Sequence, residues 1–589
     1  MIALNNEQRA AVDQPGNVFV QACPGSGKTR VLTSRVIKGL EELTSSKHRV
    51  VALTYTNRAA DQIQVRLDRL AVSQESLWAG TIHAFALEWI LRPYAGYMPR
   101  IRRGFSIADE YFTKRTLDDL RRQFGKPFHF RINTAHDRTG RVTNPDGDAA
   151  AIFDIYQERL VERKLLDYDD VLYLAYRLLV DIPEISQTLA RIIRLICVDE
   201  IQDTQDLQFG ILSSIFLALP DSRPTLFLVG DHDQCIYESL GAVTKTVEEI
   251  SEEFGGLPLL PMPLSGNYRS TQRIIDFYQF LRPDNPRIES LTSYAAEAGV
   301  ISFHNQTVER GQLAELIADL IMQSVDRGVP QNEICVLAPH WFHIRVLSRS
   351  LVGLLPNVDF DAPGSSPLHS QRENFWFRVA RLFLTTPTPS LYRTRLRWAA
   401  EVRREFDETY GVCLPEVVQT PRQLLRLVNS ISPRTQDGLE FLDEAFAALC
   451  TAVDLDLGLN EHLSEARDLF FEKARERIAD DAMSADVGSF KKLFKHPSGV
   501  VINTCHGVKG EEYETVIAFG LLNGYIPHWD VIINGAPGVA EERASKLLYV
   551  ICSRAKKSLH LIAETGRFTR SQRPYETTDQ LNVLEFDYD

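Results

Sequence analysis

Residues 17–29, NVFVQACPGSGKT, pass from an apolar strand pattern through a glycine-rich turn into TRVLTSRVIKGLEEL (29–43), whose apolar residues recur at helical spacing. Strand, tight loop and helix in that order form the setting in which a phosphate-binding loop works. Gly25 and Gly27 let backbone N–H groups wrap a phosphate, and the helix N-terminus adds partial positive charge. In the loop from Ala22 through Ser26 to Thr29, Lys28 is placed to reach the β and γ phosphates of ATP and Thr29 to ligate Mg²⁺. Ala22 stands where the pattern begins with glycine.

Working outward, VVALTY (50–55), RLICVDE (194–200) and TLFLVGD (225–231) add strand patterns, and their alternation with helical segments implies a parallel α/β sheet. Between them, residues 91–185 are mostly helical in pattern and read as an insertion. That insertion holds an arginine-dense section (Arg100, Arg102, Arg103, Arg121, Arg122, Arg131, Arg138, Arg141) and a turn-rich break, TNPDGD, at 143–148. A second strand set (GVISFHN, EICVLAP, VVINTCH, TVIAFG, SLHLIAE) is interrupted over 386–495 by a helical segment between PTPS and HPSG. That segment carries a second basic group, Arg393, Arg395, Arg397, Arg403 and Arg404. Either arginine group serves equally well as a phosphate-gripping surface or as the solvated face of a helix. At roughly 150 residues per domain the chain accommodates about four domains or subdomains, which suits two α/β units, each with a helical insertion.

A phosphate loop needs an acid on a neighbouring strand. LICVDE ends in Asp199, suited to the magnesium shell, and Glu200, suited to orient or deprotonate an attacking water. Alone, such a pair is as readily a solvated strand end; paired with Lys28 it reads as a hydrolytic site. No apolar run approaches the ~18 residues of a membrane span, and MIALNNEQRA lacks the start of a secretion signal, so a cytoplasmic, membrane-free protein is expected. The eight cysteines are scattered without a CxxC pair, and His232 and Cys235 have no ligand partners at metal spacing; reduced thiols and no zinc or iron–sulfur cluster are expected. A net charge of −13 argues against a chain coated in nucleic acid but not against one strand held in a locally basic groove.

VDEIQDTQ (198–205), VGDHDQCIY (229–237) and LSGNYRS (264–270), with LTYTNRAA, GTIHAFA, NTCHGVKGEEYETV and KLLYVICSRAKK in order along the chain, resemble the UvrD/Rep/PcrA-type family of superfamily 1A DNA helicases. The resemblance covers nearly the whole length. It implies two RecA-like parallel-sheet P-loop domains, each with a mainly helical insertion: 1–90 with 186–268, insertion 91–185, then 269–385 with 496–589, and a reduced insertion 386–495. It further implies that Gln8 reads the adenine edge, that Arg30 and Tyr268 sandwich the base, and that Gln234 senses the γ-phosphate. By the same resemblance Arg269 and Arg554 are arginine fingers, worth 10³ to 10⁵ in rate by the general estimate for such groups. Glu512 aligns with the ribose-binding acid, beside Glu511 at a position usually apolar. Strand contacts are implied at Thr54, Tyr55, Asn57, Thr81, His83 and Tyr237, and at Thr504 and His506.

The implied activity is ATP- and Mg²⁺-dependent 3′-to-5′ translocation on single-stranded DNA, or on tailed or forked duplex. A small-molecule kinase is disfavoured, because such enzymes do not spread phosphate-binding arginines over two α/β units. One departure bears on unwinding: Ser239 and Leu240 stand where the family has an aromatic and an arginine, which removes a stacking group worth ~1–3 kcal/mol. The chain ends soon after Arg554, so no fused nuclease domain is expected. Some compact members of the family that the chain resembles work beside an overcoming-lysogenization-type nuclease in Gabija antiphage defence, an analogy at the level of the fold. The alternative reading is therefore a DNA-stimulated ATPase acting as the sensor or regulatory subunit of a nuclease complex, with weak unwinding of its own.

Overall fold

The apolar runs at Val18–Ala22, Arg49–Thr54, Ile193–Val198 and Thr225–Gly230 form the centre of a six-stranded, all-parallel sheet in a computed structural model of the chain. Residues 4–589 are described except 71, 109, 128, 145, 238–240, 244, 284, 362–365, 369–373, 409, 482–483, 496–497 and 570. The spatial order is Leu77–Thr81, Arg49–Thr54, Ile193–Val198, Thr225–Gly230, Val18–Ala22, Leu260–Leu264. Register is fixed by pairs such as Val18 with Phe227, Leu195 with Thr225 and Val50 with Leu195.

Successive residues of one strand enter different cores, which is why these runs are continuously apolar. Val50, Ala52, Leu195, Cys197, Phe227 and Val229 pack on one face with Val31, Leu32 and Val36; Val51, Leu53, Ile196, Val198, Leu226 and Leu228 pack on the other with Phe209 and Phe216. Because every strand runs the same way, Ala22, Thr54, Thr81, Val198, Gly230 and Leu264 all end at one edge of the sheet. The phosphate loop, the Asp199–Glu200 pair and the segments at 54–57, 81–83, 231–237 and 265–269 leave from that edge, where ligands of parallel α/β sheets gather.

The chain divides into two compact units, 1–313 with 337–343 and 504–589, and 314–336 with 344–503. In the first, the 91–185 segment has a small core of its own around Leu117, Leu120, Ile152, Tyr156 and Leu160. The first unit also holds Val300–Glu309, Ala555–Thr565 and Tyr513–Phe519, paired side by side in parallel. The second unit is largely helical, built on Phe375, Trp376, Phe406, Phe446 and Phe470, with Trp376 Nε1 donating to the Leu463 carbonyl at 2.8 Å. It also pairs Phe360 with Val500 and Asp361 with Val501. The chain thus carries two six-stranded parallel sheets, the sheets of two RecA-like P-loop domains, together with helical segments. Among the described residues no helix is long and apolar enough to cross a membrane.

Candidate nucleotide site and strand-binding face

The phosphate loop owes its shape to two left-handed glycines, Gly25 (φ +70°) and Gly27 (φ +81°), the latter capping helix Lys28–Glu41. Neither tolerates a side chain. A Cβ on Gly25 would lie 2.8 Å from Arg269 Cβ and from the Asn267 amide, and one on Gly27 would lie 2.9 Å from Gln8 Nε2. Gln8 ties the loop to the first helix: its Nε2 donates to the Ser26 carbonyl at 2.8 Å, while its Oε1 accepts from the Asn5 N–H at 3.1 Å in a capping box. Asn267 Nδ2 donates to the Pro24 carbonyl at 2.8 Å, and the Tyr268 N–H donates to the Gly25 carbonyl at the same distance. Ala22 is buried at the strand end. The Arg30 guanidinium lies 6.0 Å from the Tyr268 ring centroid, so the two groups expected to enclose the base face each other.

Below the loop sits a buried charge cluster. Lys28 Nζ lies 3.4 Å from Glu200 Oε2. Burial works against the charge of Lys28, but Glu200, Asp231 and Asp199 outweigh it and raise its pKa. Burial, then the Glu200 carboxylate, pushes Asp199 up to about 7. Burial acts the same way on Glu200, yet Lys28, Lys509 and a hydrogen bond from Gln202 overcome it, so Glu200 stays ionised. The backbone of Glu200 is left-handed (φ +50°), a conformation a non-glycine residue adopts at a cost of order 1–3 kcal/mol and which turns its carboxylate out of the strand. Thr29 and Asp199 offer a hydroxyl and a carboxylate, hard oxygen donors of the kind a divalent cation takes alongside phosphate.

Of the two expected fingers, Arg554 reaches this cluster and Arg269 lies beside Arg554. Arg554, fully buried, donates Nη2 to Gln234 Oε1 at 2.8 Å and Nε to the Val550 carbonyl at 3.0 Å. Burial, then the Arg269 charge, lowers it to about 9. Gln234 in turn donates Nε2 to Asp231 Oδ2 at 2.6 Å, so one amide joins Asp231 to Arg554. Arg269 donates Nη1 to the Ser553 carbonyl at 2.7 Å and Nε to Glu512 Oε2 at 2.9 Å. Of the two neighbouring acids, Glu512 is the one that pairs with Arg269, whereas Glu511 pairs with Arg58 and accepts from the Tyr513 hydroxyl.

The strand-side residues gather only in part. Tyr55 and Tyr237 stack at 4.7 Å, and the Tyr237 hydroxyl donates to the His506 carbonyl at 2.9 Å. His83 lies edge-on to Tyr168, and burial holds it down to about 4, hence neutral. The three hydroxyls have local duties. Thr54 is buried and donates to the Thr56 carbonyl, Thr81 accepts from the Ala84 N–H as a helix cap, and Thr504 accepts from the Gly507 N–H. Asn57 opens the helix that Thr56 caps. Ser239 and Leu240 lie outside the described residues.

Lys509, which the motif reading passed over, joins the two faces. It donates to Asp203 Oδ1 and Oδ2 at 2.8 and 2.6 Å, donates to the Gln234 carbonyl, and sits 5.0 Å from the Tyr237 ring centroid. Its partner, 306 residues away in sequence, is what hid it; its place inside NTCHGVKGEEYETV was the available signal. The arginine-dense insertion is largely committed to internal pairs. Arg100 forks onto Asp170, Arg138 onto Asp206 and Glu253, Arg121 and Arg122 meet Asp118 and Asp119, and Arg131 meets Asp530. Arg102, Arg103 and Arg141 are exposed. In the second basic group Arg395 is buried and donates to the Leu382 carbonyl and to Asn429.

Residues 4–255 match the UvrD/REP helicase N-terminal domain, and residues 479–566 match the UvrD-like helicase C-terminal domain. The chain is 26% identical to the ATP-dependent DNA helicase PcrA of Staphylococcus epidermidis, over 97% of its own length and 84% of that protein. It is 24% identical to the ATP-dependent DNA helicase PcrA of Bacillus subtilis, over 94% of the chain and 82% of the relative. For the PcrA of Leuconostoc citreum the identity is 24%, over 96% and 82%.

Proposed function

Since the chain belongs to the UvrD/Rep/PcrA-type family of superfamily 1A helicases, we propose that it is an ATP-driven 3′-to-5′ translocase on single-stranded DNA whose output is strand separation. The observation that carries this reading is the continuous link from Arg554 through Gln234 and Lys509 to Tyr237: two hydrogen bonds and a cation–π contact join the phosphate side to the strand side.

In the resting site Lys28 neutralises Glu200. A triphosphate bound at the loop competes for Lys28, releasing Glu200 to take the proton of the attacking water as it adds to the γ-phosphorus and ADP leaves. Arg554 and Arg269 supply positive charge as the transferred group accumulates it, and they are already oriented by Gln234, Glu512 and the Ser553 carbonyl. Thr29 and Asp199 are the residues that would hold Mg²⁺, whose contribution is to neutralise phosphate charge. Arg30 and Tyr268 take the base between a guanidinium plane and a ring face. Loss of the γ-phosphate removes the partner that Gln234 and Arg554 share, and Lys509 carries the change to Tyr237 and His506, where a strand tracks by stacking and phosphate contact.

The test is ATP turnover by the purified chain at low salt, with and without unstructured single-stranded DNA. A Lys28→Ala or Glu200→Gln change abolishes turnover on this reading; absence of any DNA stimulation refutes it. The second reading, a DNA-sensing ATPase subunit beside a nuclease, is favoured by the sequence departure at Ser239 and Leu240. Strand displacement on 3′-tailed duplex separates the two, because robust unwinding by the isolated chain counts against a purely sensory role.

A further inference from the structure

At the end of the first sheet opposite the phosphate loop lies a cavity of about 270 Å³ that the nucleotide chemistry does not use. Its position follows from the strand directions. Thr225 opens its strand, Leu195 lies near the start of another, and His48 immediately precedes Arg49, whereas every nucleotide-site segment leaves from the C-terminal ends. Helix Lys28–Glu41 spans the distance, with the phosphate loop at its first residue and the cavity at Arg35, Gly39 and Glu42; its 14 residues amount to about 20 Å at the usual helical rise. Gly39 presses that helix onto the sheet, since a Cβ there would fall 2.4 Å from Leu195 Cδ2, so the floor of the cavity is tightly packed.

The lining is basic. Arg35, Arg194 and Arg223 contribute three guanidinium groups against one carboxylate, the half-exposed Glu42, which lies 3.2 Å from Arg35 Nη1. Arg194 donates Nη1 to Ser222 Oγ at 2.8 Å and Nη2 to His48 Nε2 at 3.0 Å. Accepting that bond leaves the His48 proton on Nδ1, and burial with the adjacent Arg194 charge holds the ring below its usual pKa, hence neutral. Arg35 is only 5% exposed, and its Nε, like His48 Nδ1, is enclosed by protein beneath the lining. An excess of positive charge against a single carboxylate calls for an acceptor-only, multiply charged ligand, and the volume falls below that of most small-molecule pockets.

We propose that this cavity binds a small phosphate-class anion, inorganic phosphate or pyrophosphate, through the guanidinium groups of Arg35, Arg194 and Arg223. The site is separate from the phosphate loop and joined to it by one helix, so anion occupancy and nucleotide occupancy act on opposite ends of the same element.

Calorimetric titration of the full-length chain with phosphate, and separately with pyrophosphate, tests this. For at least one of the two anions the wild-type chain shows two binding sites. Lys28→Ala leaves one, Arg194→Gln with Arg223→Gln leaves the other, and the triple variant leaves neither. The single Arg223→Gln change, at an exposed position, keeps the fold and weakens the cavity site about tenfold. The proposal is overturned if Lys28→Ala removes all binding of both anions, or if the arginine pair can be replaced without changing the stoichiometry. Failure of the nucleotide-site reading gives a different pattern, in which Lys28→Ala keeps the wild-type stoichiometry while the arginine variants still lose a site.

Discussion

Replacing Lys509 with methionine keeps most of the side-chain volume and removes only the charge. In the native chain that charge is 6% exposed and makes two bonds, 2.8 and 2.6 Å, to Asp203, whose side chain is fully buried. Breaking a buried pair by deleting one partner costs about 3–5 kcal/mol, because the other charge is left without compensation. Asp203 has a partial escape. Burial already pushes its carboxyl up to about 6 while Lys509 pulls it down, so without the lysine it takes up a proton near neutral pH, and the loss settles toward the lower end, ~3 kcal/mol. Adding Asp203→Asn to Lys509→Met gives a neutral pair and recovers most of that stability, with a coupling energy of ~2 kcal/mol or more in a denaturant-based double-mutant cycle. DNA stimulation of ATP turnover behaves differently. Both the single and the double variant lose it about tenfold, since neither restores the tie to the Gln234 carbonyl and the Tyr237 ring. The reasoning is refuted if the double variant is as unstable as Lys509→Met alone, or if Lys509→Met is stimulated by DNA as strongly as the native chain.

Other outcomes follow from the same geometry. Arg554→Ala lowers kcat by 10³-fold or more, in the range typical of arginine fingers, with the KM for ATP changed only a few-fold; steady-state kinetics checks the split. Gly25→Ala, which forces a Cβ to 2.8 Å from Asn267 and Arg269 at a left-handed position, abolishes nucleotide binding in a fluorescent-nucleotide titration while the far-ultraviolet circular dichroism stays native. Acid should loosen the first unit. Burial holds His83 down to about 4 and His343 to about 3, so each binds a proton more readily when unfolded. Their contribution is intact above pH 6.5 and is lost as pH falls from there toward 4 and 3, at most about 3 kcal/mol for His83 and about 5 kcal/mol for His343, and urea unfolding at pH 7.5 and pH 5 measures the loss.

The central strands were legible because they are buried on both faces and therefore continuously apolar. The two edge strands were not. Leu260–Leu264 carries Pro261 and Pro263, which remove ladder donors and are tolerated because this strand pairs on one side only, with Val18–Ala22. Leu77–Thr81 lies at the other edge, paired with Arg49–Thr54, and most of its residues are only partly buried. The glycine-rich loop, Asp199 and Glu200 could be placed locally, since each lies in a contiguous motif at a strand end. Lys509 could not, because its role is set by Asp203 across 306 residues. The arginine-dense insertion showed the converse limit: composition revealed the charges of Arg100 and Arg138 but not the carboxylates that neutralise them. Gln8, expected to meet the base, also donates its Nε2 to the Ser26 carbonyl of the loop, a contact no spacing rule reports.

The central claim is that one chain couples ATP hydrolysis to a bound single strand, and the most direct measurement is steady-state ATP turnover at low salt as unstructured single-stranded DNA is titrated in, repeated at rising salt. Turnover is expected to climb to a plateau with DNA, with an apparent DNA affinity that weakens steeply as salt increases. Turnover that is the same with and without DNA at every salt concentration would contradict it.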